Sequence, residues 1–338
     1  MKQAIMTSPG KIEFRDVPVP EPGPDEVLIR VKTIGVCGSD IHVRHGRHPF
    51  TAYPVIQGHE FSGVVASVGR RVKGIRPGEK VTATPQIVCG RCSPCLRGDY
   101  HICDRLKVQG FQAPGCAQDF FLTKAEKIVR LPAFFSFEQG AMVEPTAVGV
   151  HAVSRAGGVD GANVAVLGAG PIGILLGQVA RAMGAKVLIT DISRFRLDIA
   201  RRCGLRRVSD AKTESLEEAA TRVFGKKGFE TAFECAGAEA AVNAAIGAIQ
   251  KGGTIVAVGV YGERPRLDLG LIQDRELNLK GTLMYQCKDF VKAVSLMKAR
   301  LVTTEPLQTA HFPFAAYQDA YDFIEREGEK SMKVFIDL

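Results

Sequence analysis

Two kinds of hydrophobic pattern divide this chain. Up to about residue 85 the apolar positions come in short runs. Val27-Leu-Ile-Arg-Val31 alternates apolar with polar, and Phe61 to Val68 is β-branched and punctuated by glycine. Proline-rich segments, VPVPEPGPDE at 17–26 and IRPGEK at 75–80, lie between and after them. Many short strands with Gly/Pro turns predict a barrel-like β domain, so residues 1 to about 85 are expected to be all-β. Near residue 150 the pattern changes. Asn163-Val-Ala-Val-Leu167 is apolar without alternation, as in a strand buried on both faces. Gly168-Ala-Gly-Pro-Ile-Gly173 follows, then a helical stretch from about Ile174 to Met183, then Lys186 to Thr190 and Asp191. Further strand–helix alternation runs through Glu230–Glu234 and Gly253–Val258. This βαβ repetition predicts a parallel, doubly wound sheet. After about residue 285 the pattern predicts a helix over Lys288–Lys298, a proline-marked link and a last helix–strand pair; no internal repeat is present.

At 338 residues the chain has room for two domains with substantial cores. A hydrophobic share of 46% and a charged share of 24% exclude global disorder and coiled coil. The net charge of +8 is spread over short pairs such as Arg70-Arg71, Arg201-Arg202 and Lys226-Lys227. Without a focused basic patch the expectation is no nucleic-acid partner. The start, MKQAIMTSPGKIEF, has no long apolar h-region, and four glycines and a proline break the best apolar stretch, Asn163 to Ala182. The expectation is a cytoplasmic protein with no membrane partner.

Nine cysteines, an odd number, argue against a disulfide framework. Four fall close together as Cys89-x2-Cys92-x2-Cys95-x7-Cys103, among turn formers. Four soft thiolates on tight turns suit a structural zinc ion. A redox-active dithiol needs only two of them, and an iron–sulfur cluster also uses close spacings.

Gly168, Gly170 and Gly173 form a GxGxxG pattern between a predicted strand and a predicted helix, the context a dinucleotide fingerprint requires. Gly168 permits the tight turn, Gly170 lets the backbone approach a pyrophosphate at the helix N-terminus, and Gly173 permits close helix–strand packing. Asp191 ends the next strand, 23 residues after Gly168. Its carboxylate suits ribose hydroxyls and repels a 2′-phosphate, favouring NAD; Arg194 and Arg196 pull the other way.

Cys37-Gly-Ser-Asp-Ile-His42 and Gly58-His-Glu60 form a second group of metal-capable residues. Cys37, His59 and Glu60 offer S, N and O donors, a set suited to an open zinc site. Neighbouring side chains on an ideal strand point to opposite faces, so His59 and Glu60 can converge only at a bend, which Gly58 would provide. The plainer alternative is a surface His–Glu pair.

The order CGSDIH, GHE, four-cysteine loop, EPTAVGVHA at 144–152 and GAGPIG at 168–173 resembles the zinc-dependent medium-chain alcohol dehydrogenase family over essentially the whole chain. Glu60, Glu144-Pro145 and FECAGAEAAVNAAI at 233–246 resemble its polyol branch: sorbitol, butanediol, threonine and sugar-acid dehydrogenases. The resemblance implies an α/β fold with a GroES-like β-rich catalytic domain over 1–148, a Rossmann domain over 149–285, and a segment 286–338 completing the catalytic domain, with the active site between the domains. It implies two zinc ions. Cys37, His59 and Glu60 would bind the catalytic one, with Glu144 binding it directly or holding its water. Cys89, Cys92, Cys95 and Cys103 would bind the structural one. Ser39 would accept the substrate's hydroxyl proton and His42 pass it towards solvent. Ile172, Asp191, Arg196, Val258, Gly259 and Val260 would contact NAD, with Leu283, Met284 and Tyr285 near nicotinamide and substrate. A homotetramer or homodimer is implied, with Leu277 to Leu283 pairing across a two-fold axis.

Met284-Tyr285 stands where sorbitol dehydrogenases usually carry Arg-Tyr, and Val43 where a tyrosine is common; both point away from sorbitol. Segment 45–61 resembles the sugar-acid members. Arg44, Arg47 and His48 would there meet a carboxylate, or else be solvated loop charges. The expected activity is therefore hydride transfer between NAD(H) and a secondary alcohol of a polyol, sugar or sugar acid. Threonine- or butanediol-type dehydrogenation is the alternative within the family. A non-catalytic NAD(H)-binding sensor or a nucleic-acid-binding zinc module are alternatives outside it.

Overall fold

The structure is a computed structural model that describes residues 1–338. The chain divides into two compact units. One comprises Met1–Glu144, Gln286–Val294 and Gln308–Leu338; the other comprises Pro145–Tyr285 and Ser295–Leu307.

The first unit is built on a seven-stranded sheet. Its order is Gln308–Pro313, Lys333–Asp337, Glu26–Gly35, Glu60–Val68, Lys80–Ala83, Ile128–Arg130, with Phe120–Lys124 pairing to Glu26–Gly35 off this path. The strand Glu26–Gly35 is its axis. It pairs antiparallel with Glu60–Val68 on one side, with Gly35 opposite Glu60, and with Lys333–Asp337 on the other, with Gly35 opposite Phe335. Val27, Ile29, Val31 and Ile34 are almost fully buried, so apolar side chains fix this strand in the core.

The expectation of an all-β start fails at one place: Gly38–Arg44 is a helix. The Asp40 carboxylate accepts a 3.0 Å hydrogen bond from the backbone N–H of Cys37, satisfying a donor at the helix entry. The other end is locked too. Arg44, only 10% exposed, pairs through Nε with Glu325 at 3.0 Å and through Nη2 with Asp322 at 2.5 Å, and its guanidinium lies over the Tyr321 ring. All three partners belong to the helix Tyr317–Glu327. Arg44 is therefore not a solvated loop charge; its Nη1 is buried and makes no hydrogen bond.

The second unit holds a six-stranded parallel sheet. Its order is Val208–Asp210, Lys186–Asp191, Asn163–Leu167, Thr231–Glu234, Thr254–Ala257, Asn278–Gly281. Counted along the chain this is 3-2-1-4-5-6, the doubly wound dinucleotide-binding order. Val164, Ala165 and Val166 are fully buried, as the unbroken apolar run predicts. Leu167, Leu188, Phe229, Val242, Ile246 and Ile255 join one core cluster. No helix is long and apolar enough to cross a membrane.

Arg44→Met keeps the apolar stem and removes the charge-assisted bonds. Its partners are part-exposed, so the expected cost is about 1–2 kcal/mol, a Tm drop of a few degrees. Differential scanning calorimetry checks it; an unchanged Tm would show that the two helices do not depend on this pairing.

Candidate functional site

The pairing of Gly35 with Glu60 brings the two metal-capable motifs together. Cys37 leaves one strand two residues beyond Gly35, while His59 and Glu60 enter the next. Gly58 takes φ +88, the bend that lets adjacent residues turn inwards; a Cβ there would lie 2.8 Å from Cys116 Sγ. Donor atoms of Cys37, His59 and Glu60 all lie within 4.8 Å of one another. His59 and Glu60 are buried, so this is no surface pair.

The pocket calls for a cation. Burial pushes the Cys37 thiol up, and the Glu60 charge adds to it. Burial opposes a charged His59, yet Asp40, Cys37 and Glu144 together raise its pKa well above the ordinary histidine value. His59 Nδ1 is buried with no hydrogen-bond partner; Asp40 Oδ1 lies 3.9 Å away. A buried imidazole converging with a thiol and a carboxylate fits a zinc ion in donor type and number. Glu144, 4% exposed near the start of the helix Val143–Arg155, acts on His59 electrostatically but is outside the close three-residue group.

Ser39 and His42 sit three residues apart on the helix Gly38–Arg44, hence on one face, and both are half-buried. The sequence reading missed Phe111. Its buried ring stacks on His48 at 4.6 Å and lies 4.9 Å from the His59 ring. His48 Nδ1 bonds the Thr51 hydroxyl at 2.8 Å, and burial holds its pKa down. His48 is thus a packed neutral ring, while Arg47 is exposed. Only its lone position between glycines and prolines hinted that Phe111 was not a strand residue.

Cys89, Cys92, Cys95 and Cys103 form a second close group, with sulfurs within 4.8 Å, and all nine cysteines are free of disulfides. The backbone N–H groups of Cys89 and Arg105 each donate to Cys103 Sγ at 3.3 Å. Backbone N–H groups of Arg91 and Cys92 pull the Cys89 thiol down to about 6, whereas burial and neighbouring thiols push Cys95 up to about 12. Four converging thiols with thiolate-favouring amides fit a tetrahedral zinc ion.

In the second unit the helix Pro171–Ala182 begins at Gly170, with proline in its first turn. Gly168 has φ +106, and a Cβ at Gly173 would fall 1.9 Å from the Gly168 carbonyl oxygen. Both glycines are therefore steric necessities of the fold. Gly170 differs: a Cβ there meets nothing within 4 Å. Its missing side chain leaves open space at a helix N-terminus, where a pyrophosphate fits. The carboxylate of Asp191 accepts N–H bonds from Ala169 at 2.6 Å and Ser193 at 2.8 Å, which hold it against the glycine turn. Arg194 is engaged with Asp210 at 3.0 Å. Ile172, Arg196, Val258 and Gly259 are half-buried in the same unit, and Val260 and Leu283 are exposed. Met284 has φ +53, an uncommon conformation for a non-glycine residue, and Tyr285 is fully buried.

Two family models match the chain: the alcohol dehydrogenase GroES-like domain over residues 23–133 and the zinc-binding dehydrogenase over 171–299. Human (Homo sapiens) sorbitol dehydrogenase is 36% identical over 329 residues, 95% of this chain and 92% of that protein. The chain belongs to the zinc-dependent medium-chain alcohol and polyol dehydrogenases. It is an enzyme of that family, whose members use zinc and a nicotinamide cofactor. Among solved structures, galactitol-1-phosphate dehydrogenase from Escherichia coli superposes with TM-score 0.93 at 28% identity, covering 100% of both chains. A Sinorhizobium meliloti protein described as a zinc-binding dehydrogenase and bound to NADP superposes with TM-score 0.92 at 30% identity, covering 100% of this chain and 99% of its own.

The glycines separate fold from ligand. Gly170→Val is expected to leave the Tm within a few degrees but weaken NADH binding at least ~10-fold, by filling the space at the helix end. Gly173→Val is expected to prevent folding through its backbone clash. Fluorescence titration of NADH with circular dichroism checks both; equal NADH affinity in Gly170→Val would mean the cofactor lies elsewhere.

Proposed function

We propose that this dehydrogenase transfers a hydride between NAD(H) and a secondary alcohol of a polyol, sugar or sugar acid, with one catalytic and one structural zinc ion per chain. The observation that carries the reading is the buried convergence of Cys37, His59 and Glu60 beside the Ser39–His42 helix face. Binding a dinucleotide needs none of these residues, which disfavours a sensor.

Cys37, His59 and Glu60 would hold the catalytic ion, and Glu144 would bind it directly or hold its water. Zinc held there supplies Lewis acidity toward the substrate oxygen, and NAD supplies the hydride acceptor. Ser39 takes the hydroxyl proton and His42, one turn on, passes it to solvent. Phe111 forms an apolar wall against His59 that keeps the reacting carbon from water. The end of the helix Pro171–Ala182 receives the pyrophosphate, and Asp191 receives the ribose hydroxyls. Ile172 and Arg196 line that side, and Val258, Gly259, Val260, Leu283 and Met284 face the nicotinamide end. Because both oxygens of Asp191 are already fixed by backbone donors and Arg194 is paired with Asp210, a 2′-phosphate has a fixed negative charge to meet. This favours NAD over NADP.

Two of the proteins named above are a sorbitol dehydrogenase and a galactitol-1-phosphate dehydrogenase. Met284 lacks the hydrogen-bonding fork of an arginine, which directs the proposal away from sorbitol. Arg44 is held by Asp322 and Glu325 through Nη2 and Nε, so a sugar-acid carboxylate would meet its remaining Nη1 or Arg47.

Initial rates of nicotinamide reduction over polyols, diols, threonine and sugar acids, with NAD and NADP in parallel, test the reading. A polyol or sugar acid with NAD is expected to give the highest kcat/KM. Ser39→Ala is expected to lower that kcat about 10²–10⁴-fold with zinc content unchanged. Tight NADH binding with no turnover on any alcohol would favour the sensor.

We also propose a homodimer or homotetramer. Asn278–Gly281 is the sheet's outer strand, and Leu279 and Leu283 beside its free edge are 43% and 53% exposed. Light scattering is expected to give a multiple of the chain mass, and Leu279→Asp to lower it; a monomer in both cases would contradict the pairing.

A further inference from the structure

The four-cysteine loop grips a distant part of the chain. Seven residues separate Cys95 from Cys103, where two separate each of the other neighbouring pairs. Among those seven are Gly98, Tyr100 and His101, and all three bind residues 286–287. Gln286 is 9% exposed, and its amide nitrogen donates to the Gly98 carbonyl at 2.9 Å and to His101 Nδ1 at 3.1 Å. The Tyr100 hydroxyl accepts the backbone N–H of Cys287 at 2.7 Å. The long spacer is thus the part of the loop that reaches outwards.

What it grips is a turning point. Gln286 precedes the helix Cys287–Lys298, and its own backbone N–H donates to Asp289 Oδ2 at 2.7 Å. The N–H of Cys287 is one of the first-turn donors that a helix leaves without an internal partner, and Tyr100 takes it. The helix start is therefore built partly from the cysteine loop. On the other side of Gln286 the chain changes unit: Tyr285 belongs to the second and Gln286 to the first. Met284 takes φ +53, and Tyr285, between it and the clamp, is fully buried. A left-handed backbone at a methionine persists only where its surroundings hold it. The clamp on 286–287 is one such hold, a single peptide bond beyond Tyr285.

We propose that Gln286 and Tyr100 are positioning residues that couple the zinc ion of the four cysteines to the cofactor. With that ion bound, both ends of the 96–102 spacer are fixed, and the spacer fixes 286–287. With it lost, the spacer and the segment Leu283–Tyr285 loosen together. The inference rests on the reading above that Leu283 and Met284 face the nicotinamide, and it gives the cysteine loop a task beyond stability. Coupling of this kind is reciprocal: the ion tightens NADH, and NADH tightens the ion by the same factor. A loop that stabilised only its own lobe would hold zinc equally well with and without NADH.

Chelator competition on the zinc-loaded full-length protein, with and without saturating NADH, tests this. The ion that remains in Cys37→Ser is the one of interest. Wild type is expected to hold it ~5-fold or more tightly with NADH, and to bind NADH more weakly by the same factor once it is removed. In Gln286→Leu/Tyr100→Phe the factor is expected to fall below ~2, with both zinc ions still bound and the circular dichroism unchanged. Equal zinc affinity with and without NADH in wild type overturns the proposal, and so does a full factor in the double variant. Should that variant fail to fold, Tyr100→Phe removes one hydroxyl only and is expected to lower the factor ~2-fold; an unaltered factor there overturns the proposal. Wild-type protein that binds no NADH overturns the cofactor reading, and Cys37→Ser protein that holds no zinc overturns the structural-zinc reading; in either case this inference falls with it.

Discussion

Burying anionic donors beside one another is the constraint around which the first unit is arranged. Cys37, Asp40, Glu60 and Glu144 all lie in the interior or at its margin, and water is not there to solvate them. Positive charge inside such a pocket offsets that cost. One source is the ion that the donor set fits. The other is permanent: Lys333, held to Glu60 and to a backbone carbonyl. Several features of the sheet serve this pairing. The antiparallel register places Gly35 opposite Glu60, and the absence of a side chain at Gly35 leaves room for the carboxylate. The strand that brings Lys333 comes from the far end of the chain, so this unit is not complete without that segment.

The same constraint explains the ordering of the helix that carries Ser39 and His42. Asp40 is almost fully buried and faces His59 at 3.9 Å while its other oxygen binds the Cys37 amide. Gln57 donates to the Asp40 carbonyl at 3.2 Å and accepts from the buried Tyr321 hydroxyl at 3.0 Å. Tyr321 lies on the helix that also binds Arg44 through Asp322 and Glu325. A chain of polar contacts thus runs from the neighbourhood of Cys37 to the helix Tyr317–Glu327. Buried hydrogen bonds of this kind rigidify the groups they join.

How much of this was legible in the sequence depends on how local each signal is. The Rossmann sheet was, because an unbroken apolar strand, a glycine turn and an acidic strand end are properties of a few consecutive residues. The four-cysteine loop was legible for the same reason. The helix Gly38–Arg44 was not, because its apolar content is low and its start depends on Asp40 folding back on the Cys37 amide. Arg44 read as a carboxylate receptor or a solvated loop charge because nothing nearby shows that Asp322 and Glu325 will meet it. Lys333 was invisible, since a lysine opening a strand ordinarily points to solvent. Only the register of three strands, with a glycine between two of them, turns it inwards.

The glycines make the complementary point, that a motif mixes two kinds of necessity. Gly168 and Gly173 answer to the fold alone: one adopts a backbone angle that side chains disfavour, and the other lies against a carbonyl oxygen. Gly170 answers to neither, since its φ of −68° is open to any residue and no atom crowds it. A glycine with no steric reason in the protein needs a reason outside it, and the partial positive charge of the helix end beside it selects an anion as that reason. The cluster of Cys37, His59 and Glu60 in the other unit follows the same logic, since a buried S, N and O donor set fits a cation. The two groups of residues thus fit ligands of opposite charge.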